Sequence, residues 1–287
     1  MQRVLVIGAT GNIGREVISE LPANAVRVRA FVRNADSAGL PGHVEVVRGD
    51  LTDPASLSDA LHDVDAVFLL WFAPAAAIPA ALESIVRRTE RIVFLSSPYK
   101  TQHPLFQGGQ PNPVTPIHSG IERLLENSGR RWTFLRPGML ASNARMWWAP
   151  QIRAGIDVIP WPYGAAPTAP THERDIAAVA VRALLEDGHA GAEYVITGPE
   201  SMTQAEQLTT LGRAIGRPLR MQDMSPDEAR RDLLPGIPAP AIDMLLRAWS
   251  AAVGQPALVT PTVQDVTGTP ARSFHTWATG HANEFRD

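Results

Sequence analysis

Seven residues, Gly8-Ala9-Thr10-Gly11-Asn12-Ile13-Gly14, follow the apolar run Val4–Ile7 without a break and lead straight into Arg15-Glu16-Val17-Ile18. A buried strand, a glycine turn and a helix start therefore meet within a few residues. Glycine lets the backbone turn tightly and approach a ligand closely, and a helix N-terminus presents unpaired N–H groups to an anion. In this setting Gly8, Gly11 and Gly14, with Thr10, Asn12 and Ile13 between them, read as a dinucleotide pyrophosphate turn of the GxxGxxG spacing. A ligand-free turn of the same shape is the plainer alternative, and the strand and helix on either side argue against it.

The rest of the first half repeats the strand-helix rhythm. Short runs rich in Val, Ile, Leu and Phe at Val4–Ile7, Val28–Val32, Val44–Val47, Ala66–Leu70, Ile92–Leu95 and Thr133–Leu135 suit strands buried on both faces. Helical patterns fall between them at Ile13–Leu21, Ala55–Leu61, Pro79–Arg88 and Ile117–Asn127, followed by a helix at Asp175–Glu186 and a seventh strand at Glu193–Ile196. Because crossovers between parallel strands are right-handed, this order predicts an α/β fold with a doubly wound parallel sheet and a ligand crevice at the carboxyl ends of the strands. After Pro137-Gly138 the rhythm breaks into a stretch dense in Pro, Gly and aromatic residues, and helical runs dominate from Thr203 to Val253 and again from Phe274 to Phe285. The expected division is a nucleotide-binding core of residues 1–140 and 172–197, with a smaller, mostly helical substrate-binding region of residues 141–171 and 198–287.

Composition narrows the choice of partner. The 287 residues are 45% hydrophobic, enough for a full core, and the 26 basic and 29 acidic residues give a net charge of −3 without any basic patch. Nucleic acid and anionic membrane are thus poor partners, and a small molecule is the expected one. The longest apolar run, Val67–Leu82, is broken by Pro74 and Pro79 and predicts no membrane span. No cysteine is present, which removes disulfides and thiolate chemistry, and Met1 opens directly into a strand, so a cytoplasmic protein is expected. Histidines occur without metal-ligand spacing and no GxSxG motif occurs, which leaves zinc and serine-hydrolase chemistry without support.

Arg33 stands where NAD-binding chains usually carry a ribose-binding carboxylate, about twenty residues past the fingerprint. A guanidinium there suits a 2′-phosphate, so NADP(H) is favoured over NAD(H), although a solvated arginine at a strand end is the ordinary alternative and Asp36 stands nearby. Asp50 and Leu51, after the third strand, are placed to meet an adenine edge and face, or Asp50 simply opens the next turn. Leu70, Trp71 and Phe72 after the fourth strand, Ser96 after the fifth and Pro137 after the sixth would ring the nicotinamide end of the crevice.

Taken together, Gly8–Gly14, Arg33, Gly49-Asp50-Leu51-Thr52-Asp53, Ser96-Ser97, Leu135-Arg136-Pro137-Gly138, Glu173-Arg174-Asp175-Ile176 and Thr197-Gly198-Pro199-Glu200 resemble the NmrA-like group of atypical short-chain dehydrogenase/reductases. That resemblance implies a Rossmann fold and a role as quinone reductase, ketoreductase or, alternatively, a non-catalytic NADP(H)-binding redox sensor. The superfamily's Tyr-x-x-x-Lys pair is missing: the one lysine is Lys100, and Ser96 lies four residues before it. By the same resemblance Val114 and His118 fall where the tyrosine and lysine would stand, and the carbonyl-polarising serine falls at or beside Ser97.

A proton must therefore come from elsewhere. His118, Tyr99 and Ser97 are the candidates on the chain; water beneath a mobile loop at Thr101–Asn112, or a phenol of the substrate itself, are the others. With Glu122 four residues on, His118 also fits a surface pair. Phe72, Phe106, Met139, Met146, Trp147, Trp148, Trp161 and Tyr163 offer flat apolar walls over the nicotinamide face, while Ile242, Leu245, Leu246 and Trp249 read as core. The expected activity is NADPH-dependent reduction of a ketone or quinone in a bulky aromatic substrate. The tyrosine-lacking ketoreductases of aromatic polyketide antibiotic pathways are the subgroup that this pattern is most similar to.

Overall fold

In the computed structural model, residues 1–232 and 238–286 are described. Seven strands form one parallel sheet: β1 (Gln2–Ile7), β2 (Val26–Val32), β3 (Glu45–Arg48), β4 (Ala66–Leu70), β5 (Arg91–Leu95), β6 (Arg131–Pro137) and, after two short strands β7 (Val158–Trp161) and β8 (Pro167–Thr168), β9 (Ala192–Ile196). Their order is β3-β2-β1-β4-β5-β6-β9, so the chain reverses direction across the sheet between β1 and β4. The doubly wound α/β fold expected from the sequence is what forms.

Alternation explains why the strands are apolar throughout. Val4 and Val6 enter one core with Ala66 and Phe68, whereas Leu5 and Ile7 enter the other with Val67 and Leu69. The first core is closed by α1 (Asn12–Glu20) and, beyond the intervening helices, α7 (Glu173–Leu185); the second face is covered by α2 (Pro54–Ala60), α3 (Ile78–Arg88) and α5 (Thr115–Glu126). A sheet wrapped on both faces leaves only its strand ends for a ligand.

A separate core forms beside the sheet. It joins α6 (Asn143–Arg153), α8 (Gln204–Ile215), α10 (Ala239–Ala252) and α12 (Phe274–Gly280) with β7. A further helix, α9 (Pro226–Asp232), and the strands β10 (Met202–Thr203) and β11 (Arg220–Asp223) complete it, β10 pairing with β8 and β11 with β7, whereas α11 (Thr262–Thr267) packs on α7 in the first core of the sheet. The helical run expected over Thr203–Val253 is thus interrupted by β11, and its residues 233–237 lie outside the described residues. Among the described residues no helix is long and apolar enough to cross a membrane.

Residues 101–112, expected as a mobile loop, contain α4 (Pro104–Gly108), which packs along α10. Its N-cap His103 also bonds the Pro256 carbonyl at 2.9 Å, tying the segment to the chain beyond α10. Apolar Leu105, buried in the helical core, is the residue that makes docking favourable.

Candidate active site

The glycine turn is built by exclusion of side chains. Gly8 has φ +88°, a left-handed conformation that disfavours a Cβ, and a Cβ on Gly14 would lie 2.1 Å from the Gly8 carbonyl oxygen. Gly11 donates to that same carbonyl at 3.1 Å and caps α1 without any side-chain acceptor. Among the described residues, no acceptor is recorded for the backbone N–H groups of Asn12, Ile13 and Gly14. Three donors left free at a helix N-terminus, beside a space cleared of Cβ atoms, fit a pyrophosphate.

Arg33 and Phe72 meet across the crevice mouth, with the guanidinium carbon 5.3 Å from the ring centroid. Both are exposed, so the arginine is parked on an aromatic face and not in an ion pair. Asp50 takes up the turn role, which is compatible with meeting an adenine edge: its carboxylate accepts from the Thr52 backbone at 2.8 Å and from the Thr52 hydroxyl at 2.7 Å. Those two bonds, with help from Arg33, hold it below the usual carboxylate range despite slight desolvation. It orders a turn, as the alternative reading had it. Leu51 is buried, and Leu70 backs Gly8. Trp71 turns into the core and donates its indole N–H to the Ala73 carbonyl at 2.7 Å, so it does not face the crevice.

On the other side of the sheet end lies a small, half-open, mainly apolar cleft of about 120 Å³. Ser97, Tyr99, Phe106, Pro137, Met139 and Leu245 supply most of its wall. It joins the end of β5, the helix α4, the turn after β6 and one face of α10. Leu245, expected as core, is therefore cleft wall, and Asn112 is a polar lining residue that the motif reading did not single out. Apolar spacing on a helix cannot separate a wall from a core, and a lone Asn before Pro113 carries no signal.

Six of the eight expected wall residues lie outside the cleft lining. Trp147, Trp148 and Trp161 pack with Trp249 at ring separations of 5.4 to 6.1 Å inside the helical core, and Met146 is half exposed. The physical reason is size: large apolar rings gain most from complete burial. Tyr163 packs at the edge of the same core, and Phe72 belongs to the crevice mouth beside Arg33.

Behind the cleft sits a buried charge network. Glu122, on α5 and 1% exposed, accepts from both Arg136 nitrogens at 3.1 and 2.8 Å, from the Ser96 hydroxyl at 2.6 Å and from the Tyr99 hydroxyl. Burial alone would raise its pKa, but these bonds outweigh that and hold it down. Ser96 consequently serves the network and not the crevice. Tyr99 is the converse case: burial first, then its bond to the Glu122 carboxylate, pushes the phenol well above its ordinary value. A phenol so held is a poor proton donor. Lys100 lies 3.4 Å from Glu122, 3.8 Å from Glu126 and 3.6 Å from Glu193, so its ammonium, together with Arg136, offsets two of the three negative charges in the cluster.

His118 does not pair with Glu122. Its Nδ1 lies 2.8 Å from Ser97 Oγ, and its ring stands edge-on to Phe94. Burial lowers its pKa, with Glu122 pulling the other way, which favours the neutral imidazole at physiological pH. One neutral tautomer donates from Nδ1 to Ser97 Oγ and leaves the serine O–H free for the cleft.

A doubly wound sheet that carries, at the carboxyl ends of its strands, an uncapped first helix after β1 and an apolar cleft after β5 and β6 defines a dinucleotide-dependent small-molecule site. The comparisons agree: residues 8–187 match the family model described as NAD(P)H-binding. The chain is 39% identical to the (4-alkanoyl-5-oxo-2,5-dihydrofuran-3-yl)methyl phosphate reductase of Streptomyces griseus, covering 98% of this chain and 99% of the relative. It is 32% identical to the NAD(P)H azoreductase of Xenophilus azovorans, over 98% and 99%. The NADPH complex of an NADPH-dependent quinone oxidoreductase from Escherichia coli superposes with a TM-score of 0.78, at 24% identity and 96% and 99% coverage. The protein belongs to the NAD(P)H-binding family, and it is an NAD(P)H-dependent oxidoreductase.

Proposed function

We propose that the chain uses NADPH to reduce a conjugated carbonyl acceptor, such as a quinone or an unsaturated acyl lactone, bound through an apolar ring or chain. When bound, the reduced nicotinamide supplies the hydride. The observation that carries the reading is the pairing of Ser97 with a neutral His118 at the edge of an apolar cleft whose phenol, Tyr99, is committed to Glu122.

An isolated ketone that accepts hydride becomes an alkoxide, a strong base that needs a protein acid beside it. A conjugated acceptor spreads the new charge onto an enolate or phenolate oxygen, for which hydrogen bonds suffice until water delivers the proton. Ser97 O–H, backed by His118, is placed to donate to that oxygen. Asn112 also reaches the cleft, and its Oδ1 is already engaged by the Val114 N–H at 3.0 Å, which leaves the amide N–H₂ as its free end. Phe106, Met139 and Leu245 exclude water from the acceptor face. The relatives named for a furanone, an azo compound and a quinone all carry conjugated acceptors in those names, which favours the same class here. Arg33 at the end of β2 supplies the 2′-phosphate contact that selects NADPH.

NADPH oxidation with a naphthoquinone, an acyl butenolide and an unconjugated cyclic ketone tests the proposal. The first two should turn over and the third should not. Comparable turnover of the plain ketone, or none with any conjugated acceptor while NADPH still binds, refutes it. Ser97→Ala should lower kcat by about 100- to 1,000-fold, in the range seen when one oxyanion donor is removed.

A further inference from the structure

Arg15, the first residue after the fingerprint, makes a set of contacts that the glycine motif does not require. Its Nε donates to the Thr10 carbonyl at 3.1 Å, Nη1 to Gly39 at 2.8 Å and Nη2 to Ala38 at 2.7 Å. Its own backbone N–H bonds the Gly11 carbonyl at 3.0 Å. One planar guanidinium thus spans from the pyrophosphate turn to the loop that follows Arg33.

Besides these contacts that loop is held by Ala38 in the sheet core, by Ala35 and Leu40 against it, and by local turn bonds. Between Asn34 and His43 only Ala38 is buried, and most of the remaining residues are exposed. Where the loop lies determines where the guanidinium of Arg33 reaches, because Arg33 leaves β2 directly into it. Three of the five N–H groups of Arg15 are already spent on carbonyls, which suits a brace better than an anion ligand. Lysine has the charge but not the fixed fork, so it cannot reproduce the three-way contact.

We infer that Arg15 is a positioning residue for cofactor selection: it locks the loop after β2 to the glycine turn and so sets Arg33 for the 2′-phosphate. The inference rests on the NADPH reading above. It makes the discrimination between NADPH and NADH a property of two arginines, one that touches the phosphate and one that places the other.

Calorimetric titration of the full chain with NADPH and with NADH, without any acceptor, reads this directly and is independent of which substrate is reduced. Arg33→Ala should remove most of the preference for NADPH. Arg15→Ala should weaken NADPH by about tenfold and NADH by no more than about twofold, as for loss of orientation at a charged contact. Arg15→Lys should resemble Arg15→Ala. The double variant should discriminate no worse than Arg33→Ala alone, because residues acting through one another are not additive.

An unchanged preference in Arg15→Ala overturns the inference while leaving the phosphate clamp intact. So does full recovery in Arg15→Lys, which would make charge and not geometry the cause, or penalties that multiply in the double variant. An unchanged preference in Arg33→Ala removes the clamp and the inference with it. Circular dichroism of each variant confirms that folding is retained, which the exposed position of Arg15 leads one to expect.

Discussion

The two halves of the site are made by different means. The dinucleotide side is backbone: Gly8 to Gly14 clear a space and leave N–H groups free, and a single contiguous stretch does nearly all of it. The acceptor side is assembled from side chains of four separated segments, at residues 97–99, 105–112, 137–139 and 244–248. A backbone site tolerates change around it but not within it. A side-chain site can be retuned one wall at a time, which is a physical route to different acceptors on one cofactor platform.

Substitutions can break this contrast, and the largest effect should come from behind the acceptor side. Glu122→Ala leaves the buried Arg136 with the half-buried Glu193 as its remaining partner and should cost up to about 3–5 kcal/mol, read from chemical unfolding. A loss under about 1 kcal/mol would mean that the walls stand without the network.

The seam between the sheet and the helical core, where α7 begins, should be the acid-sensitive part. His172, N-cap of α7, is held neutral with a pKa of about 4 by burial and by Arg272, His281, Arg174 and Arg145 around it, with Glu173 as the neighbouring carboxylate. Its folded pKa lies below the unfolded value of 6.5, so the unfolded chain takes up a proton first as pH falls. Its contribution is intact above pH 6.5 and is lost between about 6.5 and 4, by up to about 3 kcal/mol. His172→Asn keeps a capping acceptor, and its unfolding free energy should fall less steeply over that window. An identical slope would assign the acid loss to other groups.

Gly14→Ala tests the backbone side. The turn must open to admit the Cβ, so NADPH binding should be lost, with a stability cost of about 1–3 kcal/mol. Retained NADPH affinity would show that the turn is not what holds the dinucleotide. On the acceptor side Leu245→Glu should raise the acceptor KM by about tenfold, in line with placing a charge on an apolar wall. Tyr99→Phe should have the smallest effect, changing kcat by less than about threefold, because its proton is held by Glu122. A large loss of kcat would restore Tyr99 as an acid.

The same contrast explains what the sequence made legible. All seven strands of the main sheet and the helices α1, α2, α3, α5 and α7 follow from runs of apolar residues and from crossover handedness, which are local or nearly local. The glycine turn is legible because its chemistry is contiguous. The acceptor cleft is not, since its walls meet only after α10 docks beside α4, and Leu245 looks like any residue on an apolar stripe. Glu122 looked like a surface partner of His118 because helical spacing was the visible relation; Arg136 enters from β6 and buries it. The tryptophans misled for a related reason: an aromatic residue announces that it will be covered, but not by what.

Five of the seven tryptophans, at positions 147, 148, 161, 249 and 277, lie in the helical core, and the other two, Trp71 and Trp132, pack on the face of the sheet covered by α2, α3 and α5. The molecule's ultraviolet emission is consequently dominated by one of its regions. Melting followed by fluorescence will report mainly on the helical core, whereas far-ultraviolet ellipticity averages over the whole chain. If the two traces separate, the region that closes over the acceptor comes apart independently of the sheet beneath it.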